Sequence, residues 1–387
     1  MLAVKPGSHM YQLLRLLSIS GEFPTASLGI LGNVRTVKAM VHKMEAKQKI
    51  RLTNKTILNN KLFQVSGKGN QRTVRLVKKS LGVLNEIHPD AHEYYMSSFP
   101  EHKFTGDRYR IWRNHRIAEV IAMCMMAGIE FEPYVLHELQ KQTISRVILE
   151  TPSIYVPRNF KKIYKVELSK TIFTRVTGLL FYPGGSYVVY NTRNAVMKWS
   201  GEGELKTRQE LTEIVRMNAE QESVKTAIVF GTDIDVALKT IIESDKSRRG
   251  QVRFDKIYFS IHYIPLSQEG ISLLRILTLP DWHEKLMSSL FTADQRPSGY
   301  GSIEFDAYFD NKYIYSHLDG DIARLIRLKE TLEDQKYSFD VICFPWQEQF
   351  LKSYLGEAVT LKPVETSVIL SDLGILELGG DDEDEGE

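Results

Sequence analysis

The chain has 387 residues, 50 Lys and Arg against 48 Asp and Glu, and 43% apolar residues, which gives material for two or three domains with ordinary globular cores. No apolar run reaches the roughly eighteen residues of a membrane span and no basic-then-apolar leader opens the chain, so a cytoplasmic protein with no membrane partner is expected. Cys124 and Cys343 each sit in an apolar context and read as reduced core residues, not as a disulfide or a metal pair.

In chain order, Gly7-Ser-His-Met10 reads as the remnant of a cleaved purification tag, which places residues 1–9 outside the fold. Leu13, Leu14, Leu16 and Leu17 give helical spacing to Tyr11–Ser20, and Gly21 and Pro24 end that helix. A second short helix is expected to start at Thr25, whose hydroxyl can take a free amide of the next turn, and to run through Leu31. After the turn at Gly32-Asn33, Val34, Val37, Met40, Val41 and Met44 predict a third helix over 34–46 with one buried stripe.

Charge concentrates here. Between Gly32 and Lys79 stand thirteen Lys and Arg against one acid, Glu45, a local field suited to a phosphate backbone. Arg35, Thr36, Lys38 and Lys43 fall on or near the helix face opposite the stripe. Ile50–Asn54 and Gln71–Val77 alternate like two strands, with Gly67-Lys-Gly-Asn70 as the tip of the hairpin between them. Three short helices followed by a basic hairpin resemble the winged helix-turn-helix family over about residues 10–80. That resemblance implies a domain over 10–96 that binds double-stranded DNA through Asn33, Arg35, Thr36, Lys38, Lys43, Lys55, Lys68, Arg72 and Arg75. A protein-binding winged helix is the alternative.

Residues 107–127, basic at the start and apolar at the end, read as a helix that links this domain, within 97–130, to the next core. Beyond it, strands are predicted at Ser145–Leu149, Ile163–Leu168, Arg175–Tyr182 and Ser186–Asn191, the last two paired through the Pro183-Gly-Gly turn. A helical stretch over Arg208–Glu222 precedes alternating units: strand Ala227–Gly231 with helix Val236–Ser244, strand Lys256–Ile264 with helix Gln268–Leu277, then helix Asp321–Gln335, strand Ser338–Phe344 and helix Trp346–Leu355. The fold class is α+β, with a mixed α/β domain over 131–375. The acidic end, 376–387, is too poor in apolar residues to fold.

The front winged helix, the linking helix with His115-Arg-x-Ala118, the central hairpin and the later strand-helix units are similar to the replication-relaxation proteins of plasmids and conjugative elements. The resemblance implies a restriction-endonuclease-like second domain. That fold's chemistry needs an Asp on the first hairpin strand and a Glu/Asp-x-Lys set on the second, to hold a hard cation and position water. The chain offers Thr177 or Gly178 for the first, and Tyr190 or Asn191 with no Lys in step for the second. The expectation is a scaffold without catalysis, metal or cofactor, serving as a DNA-binding accessory that recruits a relaxase or replication protein. Oligomeric state stays open, a homodimer on a pseudo-palindromic site being one form. The alternatives are a winged-helix transcription regulator, and an active metal-dependent nuclease or relaxase drawing on Asp233, Asp235, Asp319 or Asp321. His262, lacking the second histidine of a relaxase strand, reads as core, and so does Tyr94-Tyr95.

Overall fold

The leucine stripe forms the expected first helix, which in the computed structural model runs His9–Ser20 with Leu13, Leu14, Leu16 and Leu17 buried. The structure describes residues 2–51, 57–104, 106–140, 150–163, 173–197, 201–243, 253–297, 303–334 and 337–376. Lys55, the strand predicted at Ser145–Leu149, all of Ile163–Leu168 beyond its first residue, and the acidic stretch from 379 lie outside those residues. Two compact units make up the chain, Met1–Ile271 and Ser272–Glu387. Their boundary falls inside the stretch 131–375 that the sequence reads as one domain.

The first unit opens with six short strands: β1 (Leu2–Ala3), β2 (Glu22–Pro24), β3 (Gln48–Arg51), β4 (Ile57–Asn60), β5 (Phe63–Ser66) and β6 (Thr73–Leu76). The opening residues pack onto the first unit. β1 pairs in parallel with β3, Val4 and Met10 are buried, and Ser8 Oγ accepts the Tyr11 N–H to cap the first helix. The segment Thr25–Leu31 is a 3-10 helix whose Thr25 amide bonds to the Arg72 carbonyl, with no side-chain cap.

Alternation predicts Ile50–Asn54 as the partner of Gln71–Val77, and the structure corrects it. β6 lies between β2 and β5, antiparallel to both, while β3 pairs with β1 and β4. Two long-range bonds explain the choice: Val77 N–H donates to the Leu62 carbonyl at 3.1 Å, and Val65 N–H donates to Glu45 at 3.0 Å. The first holds residue 62 beside the end of β6, and the second ties β5 to the end of the helix Val34–Met44.

A five-stranded sheet follows, of β7 (Ser153–Tyr155), β8 (Val176–Tyr182), β9 (Gly185–Arg193), β10 (Thr226–Gly231) and β11 (Ser260–Pro265), in the order β11-β10-β9-β8-β7. β7, β8 and β9 form an antiparallel meander, and β10 and β11 continue it in parallel. All seven residues of β8 are buried, the mark of a strand covered on both faces. The linking helix runs Arg108–Met126, and helices Glu202–Ala219 and Ile234–Glu243 make the parallel crossovers. The predicted strand Lys256–Ile264 is in part a helical turn, Phe254–Ile257, with β11 starting at Ser260.

The second unit holds β12 (Ala307–Phe309), β13 (Lys312–Ser316), β14 (Phe339–Cys343) and β15 (Val359–Pro363), neighbours in that order. β12 and β13 are antiparallel, the others parallel, with helices Ile322–Asp334 and Pro345–Leu355 between the parallel strands. Tyr315, Leu325, Leu328, Phe339, Val341 and Leu351 form its core. Hairpin, helix, parallel strand, helix, parallel strand is also the order of β8 to β11, so the chain uses one topology twice.

Candidate nucleic-acid interface

The helix Val34–Met44 is anchored by Val37, Val41 and Met44, all buried; each such side chain contributes roughly 1.5–3 kcal/mol by leaving water. Met40 is half-buried and Val34 is 44% exposed, so the stripe is narrower than its spacing predicts. Arg35, Thr36, Lys38 and Lys43 are exposed on the remaining face. Asn33 Oδ1 accepts the N–H groups of Arg35 at 3.0 Å and Thr36 at 3.4 Å, which satisfies two donors that the first turn otherwise leaves open. Asn33→Ala is therefore expected to cost about 1 kcal/mol in urea unfolding, visible before any DNA is added.

The hairpin of β5 and β6 carries Lys68 and Arg72, both exposed, at its tip. Gly67 turns the tip at φ +85°, where a Cβ would stand 2.4 Å from the Gln71 carbonyl oxygen, so only glycine fits. Lys47, Lys49 and Arg51 add exposed cations on and beside β3. Among the described residues no ion pair engages Arg35, Lys38, Lys43, Lys68 or Arg72. Arg75 differs from the rest of the expected set. Its Nη2 and Nε bond Glu22 Oε2 at 2.6 and 3.1 Å, and its guanidinium lies 4.6 Å from the Phe104 ring centre. Glu22 is itself buried and takes Asn114 Nδ2 on its other oxygen, so the Arg75 charge is used inside the fold.

At the nuclease-like positions, Thr177 Oγ1 donates to the Val189 carbonyl and a Cβ on Gly178 would meet Ile154 Cδ1 at 2.6 Å, which leaves no room there for an acid. Tyr190 is buried with its hydroxyl 2.9 Å from that of Tyr258. Asn191 Nδ2 donates to Glu119 at 2.9 Å and to the Arg116 carbonyl at 3.0 Å. Glu119, 1% exposed, also accepts Ser27 Oγ at 2.6 Å and pairs with Arg193 Nε at 3.0 Å. Burial pushes its carboxyl up, opposed by Arg193, Ser27, Asn191 and Arg116. Of this cluster only the pair Asn191-x-Arg193 is local in the chain, an amide and a guanidinium at the spacing of Glu/Asp-x-Lys.

The other named residues make bonds within the fold. Asp233 Oδ1 accepts the Asp235 N–H at the start of a helix, Asp321 caps Ala323 and Arg324, and Asp319 accepts the Asp321 N–H. Among the described residues no three His, Cys, Asp or Glu side chains are placed to hold a metal ion. His262 is buried on β11 against Tyr187, and the Tyr95 hydroxyl bonds His102 Nδ1 at 2.7 Å. No helix among the described residues is long and apolar enough to cross a membrane. Comparisons with protein-family models, with curated proteins and with solved structures found no match to this chain.

Proposed function

We propose that this chain is a duplex-DNA-binding accessory protein for plasmid or integrative-element DNA processing, recruiting a relaxase or a replication protein. A winged helix-turn-helix provides the grip and a restriction-endonuclease-like scaffold without its catalytic residues provides the body. The observation that carries the reading is the row of exposed cations, without acidic partners among the described residues, on one helix face and one hairpin tip: Arg35, Lys38, Lys43, Lys68 and Arg72. Unpaired cations held on ordered backbone can displace counterions from phosphates at little reorganisation cost.

Element order supports the winged helix in part: helix, strand, helical turn and helix come first, then β3 and β4, which share a sheet with β1, and only then the hairpin of β5 and β6, whose sheet has the order β2-β6-β5. The scaffold reading is supported by helix Arg108–Met126, the meander of β7 to β9, a crossover helix and a parallel β10. Thr177, Asn191 and Arg193 then replace the carboxylates and lysine of a nuclease.

The test is fluorescence anisotropy with a labelled 30-base-pair duplex over a salt series, with supercoiled plasmid and Mg²⁺ in parallel. Affinity should fall steeply with salt. Arg35→Ala with Lys38→Ala should lower it by at least about tenfold and reduce the log–log salt slope by about 2, at about 0.9 per lost phosphate contact. Equal binding by wild type and variant would sink the assignment of this face, and nicked plasmid would show an enzyme.

A further inference from the structure

On the first two turns of the linking helix, aromatic rings and guanidinium groups reach solvent together. From Phe104 to Arg113 the chain carries Arg108, Arg110 and Arg113 against one acid, Asp107. Tyr109 is 80% exposed, and Arg108 and Arg110 on either side of it are exposed as well. The Arg108 guanidinium carbon lies 4.2 Å from the centre of the half-buried Trp112 ring. At about 100° per residue the order around the helix is Arg108, Trp112, Tyr109, Arg113 and Arg110, so two rings lie side by side between cations. Asp107 does little to neutralise them. It accepts the Tyr109 N–H at 2.9 Å as the helix cap, and its other oxygen stands 3.8 Å from Arg110 Nε in a pair open to water, a kind that contributes little. Among the described residues no ion pair engages Arg108.

Cations alone would suit the phosphates of a duplex, whose bases are stacked on one another and offer only their edges. Rings beside cations suit unpaired bases, whose faces are free to stack while the neighbouring phosphates meet guanidinium groups. We propose that the start of the linking helix is a contact for single-stranded DNA, in which Tyr109 stacks on an unpaired base and Arg108 and Arg110 hold the phosphates beside it. Trp112 positions Arg108 by carrying its guanidinium on the ring face. Unpaired DNA is a different ligand from the duplex of the helix-and-hairpin grip, and the two surfaces can fail separately.

The experiment is fluorescence anisotropy of the full chain with a labelled oligothymidylate of about 12 bases, within the span that a site of this kind covers. Tyr109→Ala should lower the affinity about tenfold without changing the salt slope, because a stacked ring releases no counterions, and Tyr109→Phe should retain it. Arg108→Gln with Arg110→Gln should reduce the slope by about 1.4, at about 0.7 per phosphate of a single strand. Duplex affinity should be the same in Tyr109→Ala as in the wild type, and Arg35→Ala with Lys38→Ala should leave the Tyr109 effect in place. Wild-type affinity of Tyr109→Ala for the oligonucleotide overturns the proposal, and so does an equal loss on the duplex, which would make the rings part of the duplex grip. No binding of the oligonucleotide by the wild-type chain at low salt also overturns it and leaves the rings to a protein partner.

Discussion

Arg324→Ala should destabilise the unit Ser272–Glu387 by about 3–5 kcal/mol, the range for breaking a buried ion pair by removing one partner. The guanidinium is 11% exposed and sits among three acids: Nε bonds Glu304 at 2.8 Å, Nη2 bonds Asp306 at 2.7 Å, and Nη1 lies 3.6 Å from Asp319. Asp306 and Asp319 are buried as well, and the Tyr315 ring centre lies 4.9 Å from the guanidinium carbon. Removing the arginine takes from two buried carboxylates the countercharge they share. Glu304 retains Arg327 at 3.1 Å and is affected less. The stranded carboxyls would take up protons above their unfolded pKa, so the variant's deficit should narrow as pH falls from 7 towards 5. Urea unfolding followed by tryptophan fluorescence at both pH values, with Trp282 and Trp346 reporting on this unit, checks it. A deficit below 1 kcal/mol, or one that widens in acid, would mean that the acids find other partners.

Asp306 and Glu304 also show why part of the fold escapes the sequence. Asp319-Gly-Asp321 is local, and so is Arg324 in the helix that Asp321 caps, but the two acids that complete the cluster, Glu304 and Asp306, come from some fifteen residues upstream. Where signals are local, sequence and structure agree closely. Gln268–Leu277 is a helix with the predicted bounds, and the Pro183-Gly turn joins β8 to β9 as expected. One local signal was present and unread. Asp310 and Asn311, at φ 49° and 60°, make the two-residue turn of the β12–β13 hairpin, a geometry that Asp and Asn tolerate. The hairpin partner was a different matter, since Ile50–Asn54 and Phe63–Ser66 are both short and half apolar. Only the contacts of Leu62 and Glu45 select between them. The Glu119 cluster joins residues from 27 to 193, and no window along the chain contains it.

His115 gives the second large effect, through pH. The ring is fully buried on the linking helix, and among the described residues neither nitrogen has a hydrogen-bond partner. Burial first, then the charges of Arg193 and Arg75, hold its pKa down at about 3, against about 6.5 in an unfolded chain. Below pH 6.5 the unfolded state therefore binds a proton that the folded state refuses. The stability contributed by this site is full above about 6.5 and lost as pH falls towards 3, by about 1.4 kcal/mol per pH unit. Between pH 7 and pH 5 the loss is about 2 kcal/mol. His115→Leu, close in volume and without the unpaired nitrogens, should be at least as stable as the wild type at pH 7 and should lose about 2 kcal/mol less on going to pH 5. Taking the difference between the two proteins removes the contribution of Glu119, one turn along the same helix, whose carboxyl is shifted upward and so gives a pH dependence of opposite sign. Denaturation curves of both proteins at pH 7, 6 and 5 measure this directly. Parallel pH profiles would mean that the ring takes up its proton in the folded state as readily as in the unfolded one.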